Sequence, residues 1–111
     1  MRAPEAHQVR LARNQSLYRE VNERLAALAP LDTPAVLRVV CECADESCTE
    51  RFDVTVEEYK AVRARPIRFL VVRGHVFPEV EDVVAEAESY VVVEKVEAGA
   101  ETAAALYPFS T

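Results

Sequence analysis

Three cysteines lie within eight residues of one another, and their thiols are the side chains in this sequence best suited to chemistry. Cys41, Cys43 and Cys48 follow the spacing C-x-C-x4-C. Alternate residues of a strand share a face, so Cys41 and Cys43 should point the same way, and the short loop 44–47 can return Cys48 to them. Three thiolates at one point repel one another unless a cation binds them. The spacing therefore predicts a site for a soft divalent metal, with Zn²⁺ as the simplest occupant.

A closed zinc site needs a fourth ligand, and we expect His75 to supply it. His75 follows Gly74, which allows the chain to turn after a strand. The other histidine, His7, is expected in a frayed N-terminus. Glu42 should point to the opposite face of its strand from the cysteines, and the carboxylates of the loop 44–47 are harder donors than a thiolate-rich site prefers. The sequence thus predicts a structural Zn²⁺ site formed by Cys41, Cys43, Cys48 and His75.

Two other interpretations of the cysteines remain open. The thiols could be inert core residues or redox groups, because free cysteine is often buried without a role. Alternatively, three thiolates and a water could hold a catalytic metal, with Glu42 or Glu46 as the general base. The sequence lacks the HExxH and GxSxG motifs of common hydrolases, which disfavours this second alternative.

A second group of residues could bind an anion or an acidic partner. Five basic side chains fall within fourteen residues of an otherwise acidic region: Lys60, Arg63, Arg65, Arg68 and Arg73. They could equally form a solvated face that pairs with nearby glutamates. Aromatic stacking partners are scarce around them, so recognition of single-stranded nucleic acid is not favoured.

The composition of the chain excludes several classes of protein. The 111 residues fit one domain, and a net charge of −6 disfavours a general nucleic-acid coating protein. Two glycines cannot build a Gly-rich phosphate loop. Met1–Arg10 contains no apolar run typical of a secretory signal, and no stretch approaches the ~20 apolar residues needed to cross a membrane. We therefore expect a cytoplasmic protein, in which three cysteines favour metal ligation over disulfides.

Local patterns predict an α+β fold with a small antiparallel sheet. Residues 1–30 are expected to form a basic leader helix that Pro30 stops, followed by turn residues 32–34. Residues 31–96 are expected to form the cysteine-containing α+β body, stabilised by the metal, and 97–111 a loosely ordered tail. Thr55 and Glu58 match a capping box, which predicts one short internal helix to about Ala64. Strands are predicted over 35–41, 51–54, 68–72, 81–85 and 90–95.

The leader helix is a candidate interaction element. Apolar residues recur at helical spacing and predict its buried stripe: Leu11, Leu17, Val21, Leu25 and Leu28. The helix is also basic, with five arginines and three glutamates in residues 1–29, whereas the remainder of the chain is acidic. The stripe could pack on the chain's own sheet. Alternatively, residues 9–28 could bind a protein partner or form a homodimer.

Several segments together resemble a known family. Cys41-Glu42-Cys43 with Cys48-Thr49-Glu50-Arg51, and the later pair Gly74-His75, are similar to the CECxxxxCTER segment and the GH of a family of small bacterial proteins of about this length. The resemblance covers about residues 11–95. No established activity comes with the family, so the resemblance implies only that the cysteines and the histidine share a metal.

These observations favour a small zinc-stabilised interaction or regulatory module without catalysis. A thiol-based redox or metal sensor is the main alternative. A small metallo-hydrolase with an open site is a further alternative, for which the metal would need a free coordination position.

Overall fold

The computed structural model describes residues 3–28 and 36–107, which form three helices and five strands. The helices are α1 (Glu5–Ala27), α2 (Val56–Arg63) and α3 (Glu97–Ala105). The strands are β1 (Val36–Val40), β2 (Arg51–Thr55), β3 (Arg68–Val72), β4 (Glu81–Glu86) and β5 (Tyr90–Lys95). The predicted α+β class is confirmed. The predicted helix stop at Pro30 and the turn at 32–34 lie outside the described residues.

The strands form two antiparallel sheets where the sequence predicted one. β1 pairs with β2, with Val36 opposite Thr55 and Val40 opposite Arg51. β5 lies between β3 and β4 in the second sheet. The two sheets meet just after β1 ends, where Glu42 N donates to Leu70 O of β3 at 2.8 Å. This hydrogen bond holds the segment that follows β1 against β3.

The short helix α2 begins as its sequence predicts. Thr55 Oγ1 accepts from Glu58 N at 3.0 Å, and Glu58 Oε1 accepts from Thr55 N at 3.0 Å. This capping box satisfies two backbone groups that a helix start would otherwise leave without partners. Tyr59 of α2 is 2 % exposed and belongs to the core shared by the two sheets, in which Phe52 and Tyr90 stack at 5.3 Å between ring centroids.

The face of α1 that packs against the rest of the chain is polar, and the predicted apolar stripe is largely wrong. Leu11 is buried and Leu25 is half-buried, whereas Leu17, Val21 and Leu28 are exposed. The buried polar and charged residues of this helix are Gln8, Gln15, Ser16, Arg19, Asn22 and Glu23.

Hydrogen bonds explain why these polar residues can be buried. Arg19 donates from Nη1 to Pro66 O at 2.6 Å and from Nη2 to Ala103 O at 3.1 Å, and its guanidinium lies over the Phe69 ring. Glu23 accepts from Tyr59 Oη at 2.7 Å. Burial of a polar group costs little free energy when the group has a hydrogen-bond partner. Helix α1 therefore contacts the rest of the chain mainly through hydrogen bonds and less through leucine side chains.

Residues 97–105 form a helix, where the sequence predicted the start of a loosely ordered tail over 97–111; the part of that prediction at 108–111 lies outside the described residues. α3 packs against α1, and Ala103 is fully buried in the core. A Cβ at Gly99 would lie 3.2 Å from Lys95 Cε and 3.4 Å from the backbone oxygen of Gln8, so glycine allows this close approach. The sequence of this segment has no clear apolar periodicity, because its residues are mostly alanine. The helix is buried at Gly99 and Ala103, where the small residues allow close contact with the rest of the chain. In the part of the chain that the structure describes, none of the helices is long and apolar enough to span a bilayer.

Candidate metal centre

The two sheets and the loop between β1 and β2 place the three cysteines together. Cys41 and Cys43 follow β1, and Cys41 N donates to Glu50 O at 2.9 Å, which extends the β1–β2 pairing by one position. The loop then turns back, with Cys48 N donating to Asp45 O at 3.1 Å. Asp45 Oδ1 stabilises this turn by accepting from Ser47 N at 2.9 Å and from Ser47 Oγ at 2.7 Å. Cys48 thereby returns to the two sulfurs after β1.

His75 reaches the cysteines from the end of β3. Gly74 has φ +88°, the left-handed region that favours glycine, and His75 N donates to Val72 O at 3.0 Å to close the turn. His75 Nδ1 lies 3.7 Å from Cys41 Sγ and 3.6 Å from Cys48 Sγ. The structure therefore brings together the four residues that the sequence selected as ligands.

The geometry of these four residues is that of a group that could hold a metal ion. One ligand atom from each of Cys41, Cys43, Cys48 and His75 lies within 4.8 Å of the others. In a tetrahedral site with Zn–S near 2.3 Å and Zn–N near 2.1 Å, ligand atoms are separated by about 3.6 Å for N to S and about 3.8 Å for S to S. The distances of His75 Nδ1 from Cys41 Sγ and Cys48 Sγ, 3.7 and 3.6 Å, match the first of these separations.

Hydrogen bonds among the thiols distribute charge unevenly. A hydrogen bond from the Cys41 thiol lowers the pKa of Cys43 to about 5, and the same bond together with burial raises the pKa of Cys41. Burial raises the pKa of Cys48. Without a cation the cluster therefore favours one thiolate and two thiols. A bound divalent ion supplies the positive charge that allows all three to coordinate as thiolates.

Glu50 contacts the far side of the His75 ring, a contact that sequence reasoning missed. Glu50 Oε2 lies 2.9 Å from His75 Nε2, whereas Nδ1 faces the sulfurs. A ring that donates Nε2–H to a carboxylate leaves Nδ1 free as a metal ligand. Val72 N also donates to Cys41 Sγ at 3.2 Å. Glu50 stands two residues after Cys48, but only the pairing of Glu50 with Cys41 places it beside the ring.

Glu42, between two of the cysteines, points away from them and into the interior, as its strand alternation predicted. It is 2 % exposed, and its carboxylate accepts from Asn22 Nδ2 at 2.7 Å and from Leu70 N at 2.9 Å. Burial raises its pKa to about 7, although both hydrogen bonds act in the opposite direction. Gln15 Nε2 donates to the Glu42 backbone oxygen at 3.1 Å. The carboxylate thus binds helix α1 and strand β3 and is turned away from the cysteine cluster.

Glu46, the other carboxylate considered as a general base, is held by α1. Its Oε1 accepts from Asn14 Nδ2 at 3.0 Å, and its backbone oxygen accepts from Tyr18 Oη at 2.7 Å. A small cavity of about 200 Å³ does border the cluster, lined by Cys43, Asp45, Gly74, His75 and Phe77. Four protein donors would nevertheless fill a tetrahedral coordination sphere, so the arrangement is suited to holding a metal.

His7 lies within α1, which corrects the expectation of a frayed N-terminus. Its Nδ1 is 2.8 Å from Arg10 Nη2 on the same helix. It is not part of the cluster formed by the three cysteines and His75.

Three of the five residues in the predicted basic patch pair with carboxylates of their own chain. Arg63 contacts Glu23 at 2.6 Å, Arg68 contacts Glu94 at 3.0 Å, and Arg73 contacts Glu86 at 3.5 Å. These partners belong to three different elements: α1, β5 and β4. An anion or acidic-partner site built from Lys60, Arg63, Arg65, Arg68 and Arg73 remains a prediction.

Comparisons of this chain with protein families, with curated proteins and with solved structures find no match. The candidate site is therefore defined by its own geometry: three sulfurs and one imidazole nitrogen at mutual distances that suit a single metal ion.

Proposed function

We propose that this chain is a zinc-stabilised interaction module that performs no catalysis. The observation that carries the proposal is the position of His75 Nδ1, 3.6 to 3.7 Å from two cysteine sulfurs in a group whose ligand atoms all lie within 4.8 Å. At these distances the imidazole nitrogen and the sulfurs can coordinate the same metal ion. The proposed ligands are Cys41, Cys43, Cys48 and His75.

The donor set favours zinc in a structural role. Thiolate and imidazole donors suit Zn²⁺, and four protein ligands leave no position for a water nucleophile. The metal would join the segment after β1, the loop before β2 and the turn after β3, which belong to two different sheets. In a chain of 111 residues such a link contributes directly to the free energy of folding.

The interaction part of the proposal is supported by helix α1. Leu17, on the outward face of α1, and Leu28, which follows its last residue, are 64 % and 83 % exposed. The free thiols also favour a reducing compartment such as the cytoplasm, in which they would stay available for metal.

Metal analysis of the purified protein tests the proposal. We expect one zinc per chain, with thiols that react with a thiol reagent only after chelation or denaturation. Removal of zinc by a strong chelator should lower the melting temperature by more than about 10 °C, because about 1 kcal/mol corresponds to roughly 4–8 °C in a domain of this size. Metal-free protein with an unchanged melting temperature would contradict the proposal.

A thiol-based sensor is the second candidate function, favoured by access to the cluster. Cys48 is half-buried, and the cavity beside Cys43 and His75 reaches the ligands. Hydrogen peroxide would take two electrons from the Cys43 and Cys48 thiolates, which join as a disulfide. Each peroxide oxygen leaves as water with protons from solvent, and the zinc is released.

Zinc release under mild peroxide separates the two candidates. Release that a thiol reductant reverses, measured with a zinc-sensitive dye, supports the sensor. Retention of zinc at peroxide concentrations that oxidise a free cysteine supports the purely structural role.

A further inference from the structure

The loop 44–47, which leads to the third cysteine, is bonded to helix α1. Tyr18 Oη donates to the backbone oxygen of Glu46 at 2.7 Å, and Asn14 Nδ2 donates to Glu46 Oε1 at 3.0 Å. Asn14 and Tyr18 are four residues apart, so their side chains lie on the same side of α1. Among the described residues, these two hydrogen bonds join the loop to a helix of the chain.

Two of the three cysteines are held by the sheets and not by this loop. Cys41 and Cys43 are fully buried. Cys41 N donates to Glu50 O at 2.9 Å, and Cys41 Sγ accepts from Val72 N at 3.2 Å. These contacts join Cys41 to the residue before β2 and to the end of β3. Displacement of its sulfur would therefore disturb both sheets.

The position of Cys48 depends on the loop. Its side chain is half-buried, and its backbone N–H donates to Asp45 O at 3.1 Å, within the turn that the loop itself forms. Residues 45–47 are exposed, whereas Ala44 at the start of the loop is buried in a small core cluster with Leu11. Movement of the exposed part of the loop about Ala44 would carry Cys48 away and leave the other two sulfurs in place.

We propose that Tyr18 fastens the loop 44–47 to α1 and thereby sets the rate at which zinc leaves the site, with Cys48 as the first ligand to dissociate. This inference rests on the proposed function, since it concerns zinc bound by the same four ligands. The loop lifts from α1 when the hydrogen bond between Tyr18 and Glu46 breaks. The Cys48 sulfur then leaves the metal with the electron pair of the Zn–S bond and takes a proton from solvent, and a donor atom of a competing chelator takes its coordination position.

Tyr18 restrains the loop more directly than Asn14 does. Tyr18 binds a backbone oxygen, which moves only with the main chain, whereas Asn14 binds the side chain of Glu46, which can rotate about its own bonds. The helix that carries Tyr18 is itself fixed at the next residue, because Arg19 is buried and donates to two backbone oxygens of the body. Tyr18 is thus a positioning residue that acts on the metal through the loop.

Transfer of zinc to an excess of a chromophoric chelator, followed by stopped-flow absorbance, tests the proposal. Tyr18→Phe removes only the hydroxyl and should release zinc about three- to tenfold faster than wild-type protein, the rate equivalent of one hydrogen bond. Asn14→Ala should accelerate release less. Tyr90→Phe is the matched control and should release zinc at the wild-type rate, because Tyr90 Oη donates to Glu58 Oε2 at 2.7 Å and neither residue is a proposed ligand.

Urea denaturation of the zinc-free proteins distinguishes this role from a purely structural one. Tyr18→Phe should lose no more stability than Tyr90→Phe, so that its faster zinc release cannot come from a weakened fold. Release at the wild-type rate in Tyr18→Phe, or equal acceleration in both variants, overturns the role of Tyr18 alone when wild-type protein holds zinc. Wild-type protein that binds no zinc overturns the proposed function together with this inference.

Discussion

The side chain of Asn22 pairs with the backbone of Val40 as a neighbouring strand would. Val40 N donates to Asn22 Oδ1 at 2.8 Å, and Asn22 Nδ2 donates to Val40 O at 2.9 Å. The same amide nitrogen lies 2.7 Å from Glu42 Oε2. One residue of α1 therefore holds the chain on both sides of Cys41, and the position of the helix is linked to the position of the proposed ligands.

Replacement of Asn22 by alanine should destabilise the protein by about 2–3 kcal/mol, because it removes the hydrogen bonds of Asn22 to the Val40 backbone and to the buried Glu42 Oε2 atom. Urea denaturation measures the change in the free energy of unfolding. Asn14→Ala is the matched control, since Asn14 is an amide of the same helix whose contact with Glu46 is exposed, and it should cost less than about 0.5 kcal/mol. Equal effects of the two variants would contradict the role assigned to Asn22.

Replacement of His75 by alanine should weaken zinc binding by orders of magnitude, because it removes the only proposed nitrogen ligand. His7→Ala should leave zinc affinity unchanged, since His7 contacts Arg10 on α1. Competition with a chromophoric chelator measures both affinities. Wild-type affinity in His75→Ala would show that the imidazole is not a ligand.

Glu50 is expected to increase zinc affinity indirectly, as a positioning residue that orients the imidazole ring of His75. Glu50→Ala should lower zinc affinity by about 10–100-fold, the usual effect of losing a carboxylate that orients a metal-bound histidine. Glu50→Gln should retain part of the affinity because the amide oxygen can still accept from Nε2–H. The melting temperature of metal-free protein should not change, since the Glu50 side chain is 56 % exposed.

Glu57→Gln is the matched control for Glu50, as an exposed glutamate on α2 outside the site. Zinc affinity that falls equally in both variants would indicate a general charge effect. A loss of stability in metal-free Glu50→Ala would indicate a role in the fold rather than in orienting the imidazole.

Replacement of one member of the buried ion pair Glu81–Lys95 should strongly lower the free energy of unfolding. Their side chains are fully buried and 3.3 Å apart, and burial lowers the pKa of Lys95. Glu81→Leu should cost about 3–5 kcal/mol because it leaves a buried ammonium without its counter-ion. The double variant Glu81→Leu with Lys95→Met should recover part of that loss, measured by urea denaturation. A double variant no more stable than Glu81→Leu would contradict this account.

Local sequence patterns correctly predicted those elements that depend mainly on interactions between neighbouring residues. The β-branched runs at 68–72 and 90–95 became β3 and β5 with the predicted bounds, and Thr55 and Glu58 formed the predicted capping box. The cysteine spacing and Gly74 were also sufficient to select a set of four residues that the fold brings together. Strand alternation, a helix start and a glycine turn are decided by neighbouring residues, whereas the approach of His75 to the cysteines depends on the contact between the segment after β1 and strand β3.

Tertiary structure decided which face of α1 is buried. The apolar spacing of Leu17, Val21 and Leu28 predicted the inward face, yet Asn22 and Gln15 point inward. The backbone groups of Val40, at the end of β1, and the backbone oxygen of Glu42, just after it, are bonded by the side-chain amides of Asn22 and Gln15 of α1. The hydrophobicity pattern of α1 cannot predict these hydrogen bonds, because they form only when α1 and the end of β1, which are distant in sequence, are in contact. The same holds for Glu50, whose place beside His75 depends on the pairing of β1 with β2 and on the turn after β3.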